Sequence, residues 1–141
     1  MIVTGTGRKA HGVACALACG DNTHGQLGMA ERCAGVHIPR PIPSLPVSKI
    51  RWISCGHGHL ALVTAAHELM TMGDNQHGQL GLGDTQTRSS PQRVTAQVFQ
   101  ADAGYAHTLF VTLSGSLFSC GSNACGQLGL RLEISYGFVV L

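Results

Sequence analysis

The sequence predicts an all-β fold that is built from a repeating unit of short antiparallel strands. Three observations lead to this prediction: one glycine-rich motif occurs three times, the apolar segments between its copies have strand length, and only 11% of the 141 residues are charged while 19 are glycine. Disordered segments are rich in charge and poor in apolar residues, so this composition indicates an ordered chain. Repeats of about 20 to 50 residues are typical of solenoids and propellers.

The repeated motif, Gly-x-Asn-x-x-Gly-Gln-Leu-Gly, begins at Gly20, Gly73 and Gly121, so its period is about fifty residues. Its glycines indicate positions where φ is positive or where another backbone passes close by. We expect the leucine to fill the core and the asparagine to hold the turn by bonding to nearby backbone. The assigned structural positions are Gly20, Asn22, Gly25, Gln26, Leu27, Gly28, Gly73, Asn75, Gly78, Gln79, Leu80, Gly81, Gly121, Asn123, Gly126, Gln127, Leu128 and Gly129.

A second, shorter pattern precedes the motif. Gly56 and His59 stand before the second copy at the same distance at which Gly104 and His107 stand before the third. Because this pattern repeats, we assign all four residues a structural role, with the histidine as a hydrogen-bonded core residue. Counting back from the first copy places Thr6 where a histidine would be expected, so the upstream half of the first unit is degenerate or truncated.

Apolar segments of strand length lie between this pattern and the motif, and they occur in pairs that are separated by short turns. Such pairs are typical of antiparallel hairpins. A proline-rich stretch at 38–46 has an equivalent around Pro91, which favours a connection between units over a polyproline ligand. The predicted strand pairs are 60–64 with 69–72, and 109–113 with 117–120.

Together these residues resemble the regulator-of-chromosome-condensation (RCC) repeat family, whose unit carries Gly-x-x-His early and Gly-x-Asn-x-x-Gly-Gln-Leu-Gly late. The resemblance covers most of the chain and is strongest from Ile53 to Leu130. It implies a β-propeller of four-stranded blades in which each sequence repeat is offset from the structural blade. The predicted repeat units are approximately 1–37, 38–88 and 89–131, and the apolar segment 132–141 is a divergent tail.

The chain is too short for a complete ring of such units. The resemblance implies a ring of usually seven units, which at this period needs roughly 350 residues, whereas this chain has 141. We therefore predict a partial, open β-propeller of about two to three blades, each with about four antiparallel strands. An open arc leaves unpaired strand edges and an exposed core, both of which invite association. We expect the chain to be a fragment or a subunit of a larger assembly.

The sequence gives weaker evidence for a chemical site than for the repeat. His57 and His59 would lie on one side of a strand, as two metal ligands could, but His59 recurs as His107 and no Cys-x-x-Cys is present. The glycine pattern at 5–10 lacks the helix and the acidic residue of a dinucleotide site, and no P-loop, nucleophile elbow or HExxH motif occurs. We predict no catalytic residue, no metal ligand and no cofactor, and we interpret the six cysteines as mostly free thiols.

The repeat favours a non-enzymatic protein-protein interaction or scaffolding module, because propellers present loops at their faces and function concentrates on loops. The resemblance implies an alternative, a guanine-nucleotide exchange factor for a Ran-type small GTPase, since the founding family member acts in this way. A third possibility is a structural subunit of a cytoskeletal or organellar complex that pairs through its strand edges. In each case the partner is another protein.

Charge and hydropathy narrow the classes of partner. The formal net charge is +2 without a long basic run, which predicts no nucleic-acid binding. No apolar run approaches the roughly 18 residues of a membrane span, and the N-terminus lacks the pattern of a secretory signal. We therefore predict no membrane insertion and an intracellular protein, either cytoplasmic or nuclear.

Overall fold

The structure, a computed structural model, describes residues 2–8, 14–29, 33–43, 45, 50–95, 97–130 and 139–140. Within this part of the chain, eleven β-strands form three antiparallel sheets and there is no helix. It follows that the same residues contain no helix long and apolar enough to cross a membrane. The all-β fold that the repeat predicts is confirmed.

Each sheet is a meander in which strands that are consecutive in sequence also pair. The first sheet contains β1 (Ile2–Arg8), β2 (Ala14–Asn22) and β3 (Cys33–Pro41). The second sheet contains β4 (Ile50–Cys55), β5 (His59–Thr64), β6 (Leu69–Gly73) and β7 (Arg88–Thr95). The third sheet contains β8 (Val98–Ala103), β9 (His107–Thr112), β10 (Leu117–Gly121) and β11 (Val139–Val140).

Both predicted hairpins lie inside these sheets. The segments 60–64 and 69–72 form most of β5 and β6, which pair from His59 opposite Gly73 to Val63 opposite Leu69. The second pair of segments lies in β9 and β10, and Leu113 begins the turn between them. Two residues of the tail 132–141 form β11, which pairs with the edge of β10.

The second sheet and the second predicted repeat unit are offset along the chain. This sheet runs from Ile50 to Thr95, whereas the predicted unit covers 38–88. β7 therefore extends past the predicted boundary at residue 88 and completes a sheet whose other three strands come from the preceding unit. The second sheet thus spans the predicted boundary between two units, and that boundary itself stays a prediction.

The second sheet is buried on both faces because it lies between the other two. Every residue of β5 is buried, as expected for a strand that is covered from both sides. Since side chains alternate along a strand, Leu60 and Leu62 join one apolar cluster while Ala61 and Val63 join another. The first cluster also contains Ala16, Ala18, Leu27, Val36, Ile42 and Met72. The second cluster also contains Leu69, Val98, Ala101 and Phe110.

Antiparallel pairing sorts the connections to two opposite ends of the sheets. The glycine-rich loops after β2, β6 and β10 lie at one end, together with the β4–β5 and β8–β9 turns. We call this the motif end. The β5–β6 and β9–β10 turns lie at the opposite end, together with the connection from β7 to β8. All the residues that sequence analysis singled out as repeat positions lie at or near the motif end.

Candidate functional site at the motif end

Each copy of the motif folds into a loop that its asparagine holds closed. In the second copy, Asn75 Oδ1 accepts a hydrogen bond from the backbone N of Leu80 at 2.9 Å, and Gly78 N donates to the Asn75 carbonyl at 3.0 Å. The three motif leucines are almost fully buried, so the loop places an apolar plug in the core. The equivalent side-chain bonds join Asn22 to Leu27 and Asn123 to Leu128, each at 3.0 Å.

The first glycine of the motif lies where no side chain fits. Gly73 has a φ of +108°, and a Cβ atom there would come within 2.4 Å of the Gly58 carbonyl oxygen. The same oxygen accepts a hydrogen bond from Asp74 N at 2.8 Å, so the loop begins with a close approach of two backbones. The motif glycines all have φ between +68° and +115°: Gly20, Gly25, Gly28, Gly73, Gly78, Gly81, Gly121, Gly126 and Gly129.

The motif glutamine connects the loop to an aspartate that sequence analysis did not single out. Gln79 Oε1 accepts a hydrogen bond from His77 N at 2.9 Å, and its Nε2 donates to Asp74 Oδ2 at 3.0 Å. In the third copy Ser122 takes the place of the aspartate, and Gln127 Oε1 accepts from Cys125 N at 2.8 Å. The first copy repeats both bonds of the second with Gln26, His24 and Asp21.

Asp21 provides a fixed negative charge at the motif end. Its Oδ1 accepts a hydrogen bond from Thr23 N, and its Oδ2 accepts from Thr23 Oγ1 and Gln26 Nε2, all at 3.0 Å. The bond from the Thr23 backbone is the main reason why the pKa of the Asp21 carboxyl lies below its usual value. The carboxylate is therefore ionised at neutral pH and is held in one orientation.

A buried histidine joins the second sheet to the third. His59 on β5 is 2% exposed, and its Nε2 lies 2.9 Å from Thr108 Oγ1 on β9. Thr108 Oγ1 in turn donates to the Gln79 carbonyl at 2.7 Å. Because the hydroxyl has one proton to donate, His59 Nε2 must be the donor in the first bond, a tautomer assigned from these partners.

The environment of His59 keeps its ring neutral. Burial lowers the pKa of His59 to about 4, although the nearby negative charge of Asp74 acts in the opposite direction. Burial also lowers the pKa of His107, which is half-buried on the third sheet. The Nδ1 atoms of both rings have no hydrogen-bond partner among the described residues. In His59, whose Nε2 carries the proton, the buried Nδ1 atom is therefore unprotonated.

The early glycine and the histidine of each repeat are in direct contact. A Cβ atom on Gly56 would lie 2.5 Å from His59 Cε1 and 2.4 Å from the Gly104 carbonyl oxygen. A Cβ atom on Gly104 would lie 2.1 Å from His107 Cε1. In both repeats the glycine N donates to the histidine carbonyl, at 2.9 Å and 2.8 Å. The pairing explains why the two residues recur together at one spacing. For the first unit, the side chain of Thr6 lies outside the described residues.

The turns that carry these glycines also carry a pair of stacked rings. His57 and Tyr105 occupy equivalent positions in the β4–β5 and β8–β9 turns, and their ring centroids are 4.3 Å apart with 27° between the planes. His57 N also donates to the Gly104 carbonyl at 3.3 Å. Both rings are exposed, and Tyr105 is 72% exposed. The stack therefore forms an aromatic surface that spans two sheets at the motif end.

A pocket of about 90 Å³ opens beside this stack, between the first loop and the β4–β5 turn. Its lining includes Asp21 and His57 together with the buried leucines Leu27 and Leu60. The lining residues are Asp21, Gln26, Leu27, Cys55, Gly56, His57, His59 and Leu60. The pocket therefore combines one fixed negative charge with an aromatic edge.

The histidines and cysteines do not gather into a metal site in the described part of the chain. No group of three or more His, Cys, Asp or Glu side chains there could hold a metal ion. Cys33, Cys120 and Cys125 are free thiols, and burial raises the pKa of Cys120 to about 12. His57 and His59, which could have formed a metal pair, instead stack on Tyr105 and bond to Thr108.

The repeat is recognised by a family model. The model for the regulator of chromosome condensation (RCC1) repeat matches residues 14–63 and 67–111, and a second model of the same repeat matches residues 100–127. The chain belongs to the RCC1 repeat family. The resemblance drawn from the motifs is thus confirmed, and the matches begin at β2 and end inside the third motif loop.

Curated relatives of this RCC1-repeat chain are larger proteins. The ultraviolet-B receptor UVR8 of Arabidopsis thaliana is 40% identical over 72 residues, which cover 51% of this chain and 16% of the receptor. The probable E3 ubiquitin-protein ligase HERC6 of Homo sapiens is 39% identical over 79 residues, which cover 55% of this chain and 8% of the ligase. The chain therefore matches less than a fifth of the length of either relative.

A solved structure shows the fold of the RCC1-repeat chain. Prp20p from Saccharomyces cerevisiae, a protein with binding properties toward Gsp1p and histones, superposes with a TM-score of 0.80 and 19% identity. The superposition covers 90% of this chain and 34% of Prp20p. This likeness confirms that the three stacked sheets are part of a β-propeller, and the arc is open as the length of the chain predicts.

Sequence reasoning missed several residues of the candidate site in this RCC1-repeat chain. Asp21 and Asp74 recur directly after the first motif glycine, and this position was the signal that could have revealed them. Thr108 left no such signal, because the equivalent residue of the second sheet is Leu60. The His57–Tyr105 stack was hidden because the two rings come from different repeats and differ in type.

Proposed function

We propose that this chain is a non-enzymatic protein-protein interaction or scaffolding module of RCC1 repeats that works within a larger assembly. The observation that carries this proposal is the uncovered face of the third sheet. By their repeat positions, Leu109, Val111 and Leu117 on that face correspond to residues of the second sheet that the third sheet covers completely. The covered equivalents are Ala61 and Val63 at 0% exposure and Leu69 at 1%.

Leu109, Val111 and Leu117 are only half-buried, and the described strands provide no further sheet to pack on them. We call this surface the open face. A contiguous exposed apolar patch on a sheet marks an interaction site, and covering its exposed part stabilises by about 25 cal/mol per Å² of apolar area. A second sheet placed here would gain the same apolar contacts that join the second and third sheets.

The polar groups of the open face occupy the same repeat positions as those on the face of the second sheet that the third sheet covers. At the covered interface, the Gln79 carbonyl accepts from Thr108 Oγ1 and from Cys120 Sγ, and the His59 ring contacts the same threonine. By repeat position, Gln127 in the loop after β10 and His107 on β9 correspond to Gln79 and His59. We therefore expect another β-sheet to pack on the open face, with a hydroxyl group at the position equivalent to Thr108. This sheet is supplied by the same polypeptide or by another.

Light scattering of the 141-residue chain tests this proposal. We expect a mass above the 14.7 kDa of one chain, because an open apolar sheet face in water favours association. A single stable monomer over a wide concentration range would contradict the role as a piece of a larger assembly. The predicted boundaries of the repeat units and the intracellular location, cytoplasmic or nuclear, stay predictions.

A second candidate function is guanine-nucleotide exchange on a Ran-type GTPase. Its support is the fold shared with Prp20p, a protein with binding properties toward Gsp1p. This chain covers 34% of Prp20p, so exchange would need surfaces that further repeats supply. Release of labelled nucleotide from a loaded Ran-type GTPase is the test. Faster release with the chain than without it supports exchange, and an unchanged rate contradicts an exchange function.

A structural subunit of a cytoskeletal or organellar complex stays the third prediction, and crosslink mapping after co-purification tests it.

A further inference from the structure

The pocket beside Asp21 and His57 has the size for a single side chain. Its volume is about 90 Å³, whereas sites for drug-sized ligands and cofactors enclose about 300–1,000 Å³. It lies between the loop of the first sheet and the β4–β5 turn of the second. A partner could therefore insert one residue between two sheets at this point, but a nucleotide would not fit.

The charge of the pocket selects a cation. The Asp21 carboxylate is already oriented by Thr23 and Gln26, which donate three hydrogen bonds to it. A carboxylate has about four acceptor positions, so one remains for a ligand. No lysine or arginine is among the described residues that line the pocket. The unfilled acceptor is therefore oriented in advance and is not neutralised by a lining cation.

A second feature of the pocket, its aromatic edge, also attracts cations. Beside the opening, the rings of His57 and Tyr105 stack at 4.3 Å and expose a broad aromatic surface. Aromatic faces attract guanidinium and ammonium groups. The aromatic surface, like the Asp21 carboxylate, therefore favours a donor with positive charge over an anion.

We propose that this pocket receives one arginine side chain of a protein partner, whose guanidinium donates to Asp21 and stacks against His57. Arginine suits the site better than lysine because its planar group can bond a carboxylate at its edge while its face packs on a ring. The inference rests on the proposed interaction function, but it concerns the motif end and the first two sheets, whereas the open face lies on the third sheet.

Nuclear magnetic resonance titration with N-acetyl-arginine amide tests the proposal on the full chain. We expect saturable shifts of the backbone amides of Asp21, Gly56 and His57. N-acetyl-citrulline amide, which has the same shape without the charge, should give weaker shifts, and N-acetyl-lysine amide should fall between the two. If citrulline and arginine amides shift these signals equally, the pocket does not select a cation and the proposal is overturned.

Substitutions in equivalent loops separate binding from folding. Asp21→Asn should weaken binding of the arginine amide by about two- to fivefold, the range of an exposed ion pair. Asp74→Asn is the matched control, because Asp74 makes the corresponding bonds to Gln76 and Gln79 but does not line the pocket. His57→Ala should weaken binding of the arginine amide, whereas His57→Phe, which keeps an aromatic face, should bind it as the wild type does.

Equal losses in Asp21→Asn and Asp74→Asn would show that the carboxylate acts through the fold, and would overturn the proposal. The outcome is distinguishable from a failure of the proposed function. Loss of arginine binding with retained association through the open face would overturn the pocket alone. A monomeric chain that still binds the arginine amide would leave the pocket standing and contradict the assembly.

Discussion

The Nε2 atom of His59 lies 2.9 Å from the Oγ1 atom of Thr108, so a side-chain hydrogen bond crosses the interface between the second and third sheets. Both residues are almost completely buried. The threonine passes the connection on to the Gln79 carbonyl in the second motif loop. Three groups that come from β5, β9 and a loop thus satisfy one another inside the sheet stack, and their geometry leads to the first prediction.

Replacing the threonine should destabilise the interface. Thr108→Val keeps the shape of the side chain but leaves the His59 donor and the Gln79 carbonyl without this partner, and an unsatisfied buried group costs about 1–3 kcal/mol. Urea denaturation should show this loss in the free energy of unfolding. Thr85→Val, at an exposed loop position, should change it by less than about 0.5 kcal/mol. Equal effects of the two substitutions would contradict a special role for the bond.

The protonation of His59 should make stability depend on pH. Its pKa is about 4 in the folded chain, against 6.5 for a histidine in water, so the unfolded chain binds more protons between these values and protonation favours unfolding. The free energy of unfolding should be highest above pH 6.5. It should fall as the pH drops toward 4, with a loss of up to about 3 kcal/mol.

Measured free energies of unfolding at several pH values check this window. The variant His59→Gln cannot take up the proton, so its stability should be lower at neutral pH but should fall less steeply in acid. His107 contributes a smaller slope of the same sign, because burial lowers its pKa as well. The same acid slope in the variant and in the wild type would assign the pH dependence to other groups.

Two glycines that both have positive φ, Gly73 at +108° and Gly83 at +78°, should respond very differently to substitution. Gly73→Ala would place a Cβ atom 2.4 Å from the Gly58 carbonyl, whereas Gly83→Ala would meet nothing within 4 Å. A residue with a Cβ atom destabilises the fold by about 1–2 kcal/mol when its backbone is left-handed. Extra atoms in a packed site destabilise it by about 1–3 kcal/mol more. Gly83→Ala should therefore cost only the first amount, and Gly73→Ala should cost the sum. Thermal unfolding compares them, and similar losses would argue against the close backbone approach.

The thiols should differ in reactivity according to their burial. Cys120 is 1% exposed and burial raises its pKa to about 12, so little thiolate forms at neutral pH. Iodoacetamide should modify the exposed Cys33 and Cys125 in the folded chain, and should reach Cys120 only after unfolding. Mass spectrometry of digested samples gives the order, and early labelling of Cys120 would contradict the packing of β10 against the second sheet.

The sequence predicted the elements that repeat and missed the contacts that join repeats. Strand pairs such as β5 with β6 were visible because their apolar residues and turns recur at one spacing. The His59 position was visible for the same reason. Its partner Thr108 was not, because a threonine replaces a leucine there and the contact forms only when two sheets stack.

The candidate pocket illustrates the same limit. Asp21 and His57 are 36 positions apart in the sequence, and neither residue type is unusual where it stands. They become neighbours in one cavity because the first loop packs beside the β4–β5 turn. Gln26 and Leu27 of the motif were assigned structural roles from the repeat, yet they also form part of the wall. Pattern analysis along a chain cannot show that two repeats share a cavity.

Sedimentation velocity of open-face variants tests most directly whether the third sheet is where this chain joins its assembly. Val111→Lys places a charge on the open face, and Leu113→Lys places the same charge in the exposed turn that follows β9. We predict that Val111→Lys shifts the chain toward the monomer over a concentration series, while Leu113→Lys sediments like the wild type. A wild-type chain that is monomeric, or an association that Val111→Lys leaves unchanged, would contradict the proposal.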